Sequence, residues 1–583
     1  MAELMFFKRK EISPYEYSKP TSEEYHEGWS VKTHNVTILP AYYETDVNAN
    51  TNGDFDKDDL PTITFNFNLE SDDAPNYGRF ITDGFKIVKS TDDFFIPYYT
   101  EIKVDFFKGN EKIYTYDATT KGRITSNNQE TYFCDVRDFN KIVISFIKAP
   151  ANSTGRFYDL YVDLLYPKVL NNKELTITDF SSFKIKEAIN VLSDDMPMGS
   201  LECDIVSTSE FNIKKSTLFD VENNGKYYGR FVVVDFKRTG DNVYHLSANS
   251  MKSELDDSKY DEWTSQSGHN PLETIYNKTG VGIAFNDLSD YKEYGGYIGV
   301  DTCRYALCQY AWAQNVMATD ARKSYIELIP VSKAVKHKIT NSGEKKKIIG
   351  NSTLNETRRF SAANYVIHDY YFYNTDNNEE VVIAELKGTF QLPVTHYFED
   401  APVIPNIEDM TKARLYQVYG VSSNKVIFQY NGLEYDTEKT LIIKGYKSTK
   451  TEKTIPIIPD IRADGGGTKE YDKYTLHVYD AYDEEGNEII KSPMIKKVLE
   501  SRGEVKAKIV LDDEQVGDLV DIDTAFEGTI RGIITSMEYT PNYQTIADIT
   551  ILALDIGLEP LYDEDGNPIY DKLDDIILVE GDA

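Results

Sequence analysis

Residues Val505–Leu554 read VKAKIVLDDEQVGDLVDIDTAFEGTIRGIITSMEYTPNYQTIADITILAL, and this stretch decides how the rest of the chain is understood. Short apolar runs are cut by Gly517, Gly528 and Gly532 and closed by the turn pair Pro541-Asn542. Apolar and polar side chains alternate from Gly532 to Tyr539, and again from Ala547 to Leu554. That period of two marks a strand with one buried face. A segment of the same kind runs from Ile177 to Leu255. There LTITDFSSFKIKEAINVLSDDMPMGSLECDIVSTSEF is followed by a glycine turn and GKYYGRFVVVDFKRTGDNVYHLSANS. We read the two stretches as partners in one strand-built ring module. What separates them is too long for a loop and is expected to hold domains of its own. Such an interrupted organisation suggests assembly rather than catalysis.

The 583 residues are long for one core and suggest roughly three to five folded units. With 43 Tyr and 28 Phe beside abundant Thr, Ile and Val, sheets are favoured over helices. The net charge of −33 is spread along the chain and argues against gripping nucleic acid by its phosphates. It suits a surface past which DNA moves without sticking, and it serves plain solubility equally well. Cys134, Cys203, Cys303 and Cys308 show no CxxC spacing, so buried thiols are expected rather than a zinc site or disulfide framework. The N-terminus lacks an apolar h-region and a small-residue cleavage site, and no stretch approaches the roughly 18 apolar residues that span a bilayer. The expectation is a chain made in the cytoplasm and soluble until it assembles.

The fold class expected is mainly β and multidomain, with hub-type β-barrels, a small α/β unit and an N-terminal jelly-roll-like β-sandwich. Residues 1–45 read as an extended arm, and 46–168 as a sandwich of the galactose-binding-like kind. In the sandwich Phe139, Ile142, Ile144 and Phe146 mark an apolar face, and turns fall at Lys108-Gly-Asn and Ser153-Thr-Gly. Residues 169–260 form the first barrel segment and 261–335 the α/β unit. Its helices are expected at Pro271–Gly280 and Thr302–Met317, the second apolar on two sides and therefore buried. Residues 336–460 read as a second sheet domain. Residues 461–555 hold a flexible joint at Asp464-Gly-Gly-Gly-Thr, a helix near 492–501 and the closing barrel segment, and 556–583 form an acidic tail.

One loop fits a twelve-residue calcium pattern. Asn48, Asn50, Asn52, Asp54, Asp56 and Asp59 offer side-chain oxygens, with Gly53 at the sixth position. Asn stands first and Asp last, and the flanks look like strands rather than the helices of an EF-hand. An acidic, Asn/Gly-rich surface turn is the competing reading. Catalytic signatures are absent: there is no HExxH, GxSxG, P-loop or post-strand GxGxxG. His26, His34, His245, His269, His337, His368, His396 and His477 lie scattered without ligand spacing. No enzyme, and no cofactor beyond the calcium, is expected. Tyr98, Tyr99, Tyr114, Tyr116, Tyr158 and Tyr161 in the sandwich are read as either sugar-stacking platforms or half-buried packing. Lys345, Lys346 and Lys347 read as a solvated hairpin tip.

The order of these features resembles the tail and baseplate hub proteins of bacteriophages, or phage-like particles, of Gram-positive bacteria. The resemblance rests on SDDMPMGSLECDIVST, on YYGRFVVVDFKRTGDNVYHLSANSMKSELD, on PLETIYNKTGVGIAF with CRYALCQYAWAQNVMATDARKSYIELIPV, and on DLVDIDTAFEGTIRGIITSMEYTPNYQTIADITIL. These cover roughly residues 175–335 and 495–555. They are patterns of apolar and turn residues, not catalytic signatures. The resemblance implies a virion protein that forms a homotrimeric ring, two similar barrels per subunit, joining the tail tube to a spike or fibre around the DNA channel. Its partners would be other tail proteins: the tube or distal tail protein, the spike or fibre, and the baseplate wedge. DNA would pass without specific binding, and no membrane insertion is implied. The alternative is a carbohydrate-binding adhesin that reads cell-wall glycan with its N-terminal sandwich.

Overall fold

The first residues carry the alternation that builds the largest sheet: Ala2, Leu4 and Phe6 point inward while Glu3 faces solvent. In the computed structural model they open the strand Ala2–Ile12. The structure describes residues 2–12, 29–32, 42–66, 80–88, 99–117, 123–125, 129–167, 169–170, 173–191, 196–261, 271–285, 300–313, 316–330, 335–343, 346–356, 366–374, 379–399, 403–408, 415–422, 424–432, 437–447, 449–456, 471–478, 501–526, 528–554, 558–560 and 578–580. Within them the protein is mainly β, in several sheets and several units.

Strand pairing runs in two closed circuits. In the first, Phe180–Ala188 pairs with Ser200–Val206, which pairs with Val243–Ser250, then Lys226–Gly240, then Leu218–Asn223. Leu218–Asn223 pairs with Ala2–Ile12, whose other edge meets Thr176–Ile177, just ahead of the starting strand. In the second, Leu519–Asp523 pairs with Thr529–Tyr539, then Ile546–Leu554, then Ser501–Val510. The return passes through Ile348 and Thr353–Glu356 on Ser501–Val510, a bridge from Lys346 to Thr340, and His337–Ile339 beside Leu519–Asp523. Residues 337–343 and 346–356 therefore belong to this circuit rather than to the second sheet domain expected over 336–460.

One strand joins the two circuits. Thr529–Tyr539 gives one edge, from Gly532 to Tyr539, to Ile546–Leu554. Its other edge is divided: Thr529–Ile533 face Asp523–Leu519, and Ser536–Tyr539 face Ala188–Ile185. A single apolar cluster fills both circuits, including Leu4, Ile185 and Leu246 from one, and Ile509, Ile533 and Met537 from the other. Each such buried side chain contributes about 1.5–3 kcal/mol of transfer free energy.

The N-terminal unit is two sheets over one core. Asp159–Pro167, Phe80–Val88, Gln129–Phe139 and Arg123–Thr125 continue from Ala2–Ile12, facing the sheet Thr62–Asn66, Lys141–Lys148, Glu101–Lys108 and Glu111–Asp117. The expected apolar face, Phe139, Ile142, Ile144 and Phe146, is fully buried between them. The α/β unit holds helices Pro271–Thr279 and Cys303–Ala313 over the strands Ile283–Phe285, Ile326–Pro330 and Val316–Thr319. Gly280, at φ +68°, ends the first helix, its N–H donating to the Tyr276 carbonyl at 2.7 Å. The second helix stops short of its expected end, because Val316 and Met317 are the start of a strand. Tyr305 on it is 37% exposed, while Cys303, Cys308 and the other two cysteines are buried free thiols.

The middle unit packs Val381–Gly388, Lys439–Lys447 and Val403–Asn406 against Val394–Tyr397, Lys425–Tyr430 and Tyr416–Val421 around Phe390, Val426, Phe428 and Ile443. The glycine joint at 464–468 and the helix expected near 492–501 lie outside the described residues, apart from Ser501, which begins a strand. Of the C-terminal tail, Leu558–Pro560 and Leu578–Glu580 form an antiparallel pair. Among the described residues no helix is long and apolar enough to cross a membrane.

The joining strand tolerates no side chain at Gly532. A Cβ there would sit 2.3 Å from the Leu552 carbonyl oxygen and 2.6 Å from Ile551 Cγ2. Gly532→Ala is expected to destabilise the protein by about 1–3 kcal/mol through overpacking, read as a lowered urea midpoint at unchanged slope.

Candidate functional site

Three buried polar nodes hold the units to one another. The first sits where the circuits join. Glu187 occupies an inward position of Phe180–Ala188 and is 4% exposed. It accepts the Tyr539 hydroxyl at 2.8 Å and faces the Arg322 guanidinium at 3.9 Å. Burial raises the Glu187 pKa, and the opposing pull of Arg322 and Tyr539 does not fully offset it. Arg322, at φ +54°, lies 5.4 Å from the Tyr539 ring and 6.0 Å from that of Tyr228. Beside it Lys252, fully buried, pairs with Asp320 at 3.6 Å and donates to the carbonyls of Pro197 at 3.1 Å and Ala188 at 3.4 Å. The first circuit, the second circuit and the α/β unit thus meet on one set of charges.

The second node ties the sandwich to the first circuit. Arg230, fully buried, binds Asp220 with both prongs, at 2.7 and 3.0 Å, and donates to Asp83 across the boundary. Arg137 of the sandwich reaches back to Asp220 at 2.8 Å, Glu222 at 3.1 Å and its own neighbour Asp135 at 3.0 Å. Burial pulls the Asp220 carboxyl upward, but Arg230 and Arg137 outweigh it and hold the group below the usual range. Strand Ala2–Ile12 runs alongside, pairing with the circuit through Phe6 and with the sandwich from Phe7 onward. The third node is Asp261, between the α/β unit and the middle sheets. It receives Lys278, the Tyr397 hydroxyl at 2.7 Å and Lys425 at 3.3 Å, while its carbonyl accepts Asn424 Nδ2 at 2.7 Å. Burial raises the Asp261 pKa, yet these donors and cations lower it to about 2.

The residues singled out in the sequence are placed as follows. Asn48, Asn50, Asn52, Asp56 and Asp59 are exposed on one loop, and Asp54 is half-buried 3.9 Å from Lys148 Nζ. Asn50 Oδ1 accepts the amides of Asn52 at 2.8 Å and Asp54 at 3.0 Å, and Asp56 Oδ1 accepts that of Asp58 at 3.0 Å. These are the bonds of Asx turns. Among the described residues no three His, Cys, Asp or Glu side chains gather as a metal site.

Of the two readings of the sandwich tyrosines, packing holds for those described. Tyr99, Tyr116 and Tyr158 are buried, Tyr114 and Tyr161 half-buried, and Tyr98 lies outside the described residues. Tyr99 donates to the buried Glu130 at 2.6 Å, so its ring serves the core. Lys347 is no solvated tip either. It ion-pairs with the buried Glu514 and, at 2.9 Å, with Asp512. Lys346 is exposed, and Lys345 is outside the described residues. His245 pairs with Asp204 at 2.9 Å, His337 with Asp518 at 3.3 Å, and His396 packs edge-on against Phe398. His368 and His477 lie on strands, while His26, His34 and His269 are outside the described residues.

Sequence reasoning missed all three nodes. The available signal was a charge in an inward register: Glu187 after Phe183 and Ile185, and Arg230 opening the run Arg-Phe-Val-Val-Val.

No protein-family profile and no curated protein sequence matches the chain. Among solved structures it is similar to the prophage tail protein gp18 from Listeria monocytogenes EGD-e, at 14% identity and TM-score 0.36, covering 65% of this chain and 91% of that one. It is similar also to the 43 kDa tail protein of prophage MuSo2 from Shewanella oneidensis, at 10% and 0.34, covering 66% and 96%. A third is the E. coli c3393 protein, a type VI secretion component, at 9% and 0.30, covering 68% and 77%. At such identities and TM-scores the likeness assigns no family and lends no activity.

Two outcomes follow from the nodes. Arg230→Met removes the buried cation that Asp83 and Asp220 share, leaving Asp220 with Arg137 only, and should cost about 3–5 kcal/mol in urea unfolding, whereas a cost below about 1 kcal/mol would count against the node. Asp261 has a folded pKa of about 2, below its ordinary 3.8. Its contribution is therefore full above about pH 4 and is lost as pH falls towards 2. Hydrogen exchange of residues 381–447 should accelerate over that window, and Asp261→Asn should remove the dependence.

Proposed function

We propose that this chain is a structural component of a phage tail baseplate or tail tip. Three copies would form a ring joining the tail tube to a spike or fibre, with the DNA channel at its centre. The observation that carries this reading is the divided edge of Thr529–Tyr539, which fuses two closed strand circuits within one chain. Three such chains would present six similar modules to a six-fold tube and three appended units to a three-fold spike. Closed circuits expose few open strand edges, so copies can meet through specific surfaces without indiscriminate edge pairing. The net charge of −33 fits a wall that DNA passes without adhering. The partners in this reading are the tube or distal tail protein, the spike or fibre, and the baseplate wedge, and the location is the virion tail.

Purified protein should form a species three times the 66.6 kDa chain mass in light scattering, or, with its tail partners, a complex that holds three copies of the chain. A particle that stays monomeric under both conditions contradicts the ring. Calcium at Asn48, Asn50, Asn52, Asp54, Asp56 and Asp59 is a separate proposal. Calorimetric titration should show binding that Asp59→Ala removes, and no heat up to about 10 mM calcium would refute it.

A further inference from the structure

The middle unit carries a partly exposed polar stripe on its outward side. Tyr419 is 50% exposed, and its hydroxyl donates to Gln429 Oε1 at 2.6 Å. Gln429 Nε2 in turn donates to the Gln391 carbonyl at 2.6 Å. Its register partner Gln417 accepts Asn431 Nδ2 at 3.0 Å. Leu392, next to Gln391, is 75% exposed. The amides are thus oriented by their neighbours, with Gln417 and Asn431 exposed and Gln429 half-buried, and each amide has more donors and acceptors than these bonds occupy. An aromatic ring pinned at its hydroxyl beside them offers an apolar face.

The charge of the stripe is what selects an occupant. Asp, Glu, Lys and Arg make up 27% of the chain, yet the stripe from Gln417 and Asn431 through Gln429 and Tyr419 to Leu392 contains none. A polyanion would meet a chain of net charge −33, and neither a polyanion nor a polycation finds a countercharge among these described residues. A ligand that is uncharged, rich in hydroxyls and flat on its apolar side matches it. We propose that this stripe binds an uncharged polysaccharide, with a pyranose ring on Tyr419 and hydroxyls on Gln417, Gln429 and Asn431.

The test is calorimetry on the full chain with maltohexaose, cellohexaose, chitohexaose and, as a polyanion, heparin. At least one neutral hexasaccharide should bind. Tyr419→Ala should weaken it at least tenfold, Gln429→Ala should weaken it less, and Ile442→Ala on the other sheet should leave it unchanged, all with unaltered melting. Absence of binding to all three at about 5 mM overturns the proposal, as does Tyr419→Ala binding like the parent or heparin binding more tightly. Loss of self-association in Tyr419→Ala without any glycan binding would overturn it in favour of a protein interface, leaving the ring reading standing.

Discussion

A strand has two edges, and Thr529–Tyr539 must serve three partners with them. It meets the demand by dividing one edge at Ile534-Thr535, with Leu519–Asp523 on one side of the break and Phe180–Ala188 on the other. The pairing with Ile546–Leu554 shifts register at the same place, between Ile534 and Ser536. An irregularity there increases local twist, which lets one continuous backbone turn from one circuit into the next. The chain between the two stretches is held at both ends by this arrangement, so the α/β and middle units are carried by the frame. The packing within the frame is apolar and continuous, so the circuits share one cluster of buried side chains.

The polar nodes stand exactly where units meet rather than within them, and that placement bears on how they act. A buried ion pair yields little net stability against a well-packed apolar substitute, because desolvation consumes most of the attraction. Breaking one is nevertheless expensive, since the remaining charge is left in a poor solvent. Glu187 with Arg322, and Arg230 with Asp83 and Asp220, therefore make displacement of one unit against another costly while adding little to overall stability. In the tail-component reading proposed above, that property matters more than a large free energy of folding.

Much of the strand content was legible in the alternation, from Gly532–Tyr539 to the sandwich face of Phe139, Ile142, Ile144 and Phe146. Partners were not. The strand Ala2–Ile12 shows Leu4 and Phe6 in register, but the adjacent Phe7 breaks the period because the strand leaves one sheet for another at that bond. Residues 337–356 carry strands of only three and four residues, too short to display a period, and one of them pairs parallel. The loop of Asn48 to Asp59 is ambiguous in principle, since calcium loops and Asx turns draw on the same residues. The tyrosines left two readings open because a ring with a hydroxyl suits both a sugar platform and a core that contains Glu130, and packing is the one the structure bears out for Tyr99, Tyr114, Tyr116, Tyr158 and Tyr161.

The most direct measurement is zero-length carbodiimide crosslinking of the isolated chain followed by peptide mapping. Lys184 Nζ lies 2.7 Å from Glu538 Oε1, across 354 residues of sequence (538 − 184), and both are open to solvent. An intramolecular isopeptide bond between these two is expected, lost in Glu538→Gln. Coupling of Lys184 only to carboxylates outside residues 501–554 would mean that the two stretches fold apart, and would contradict it.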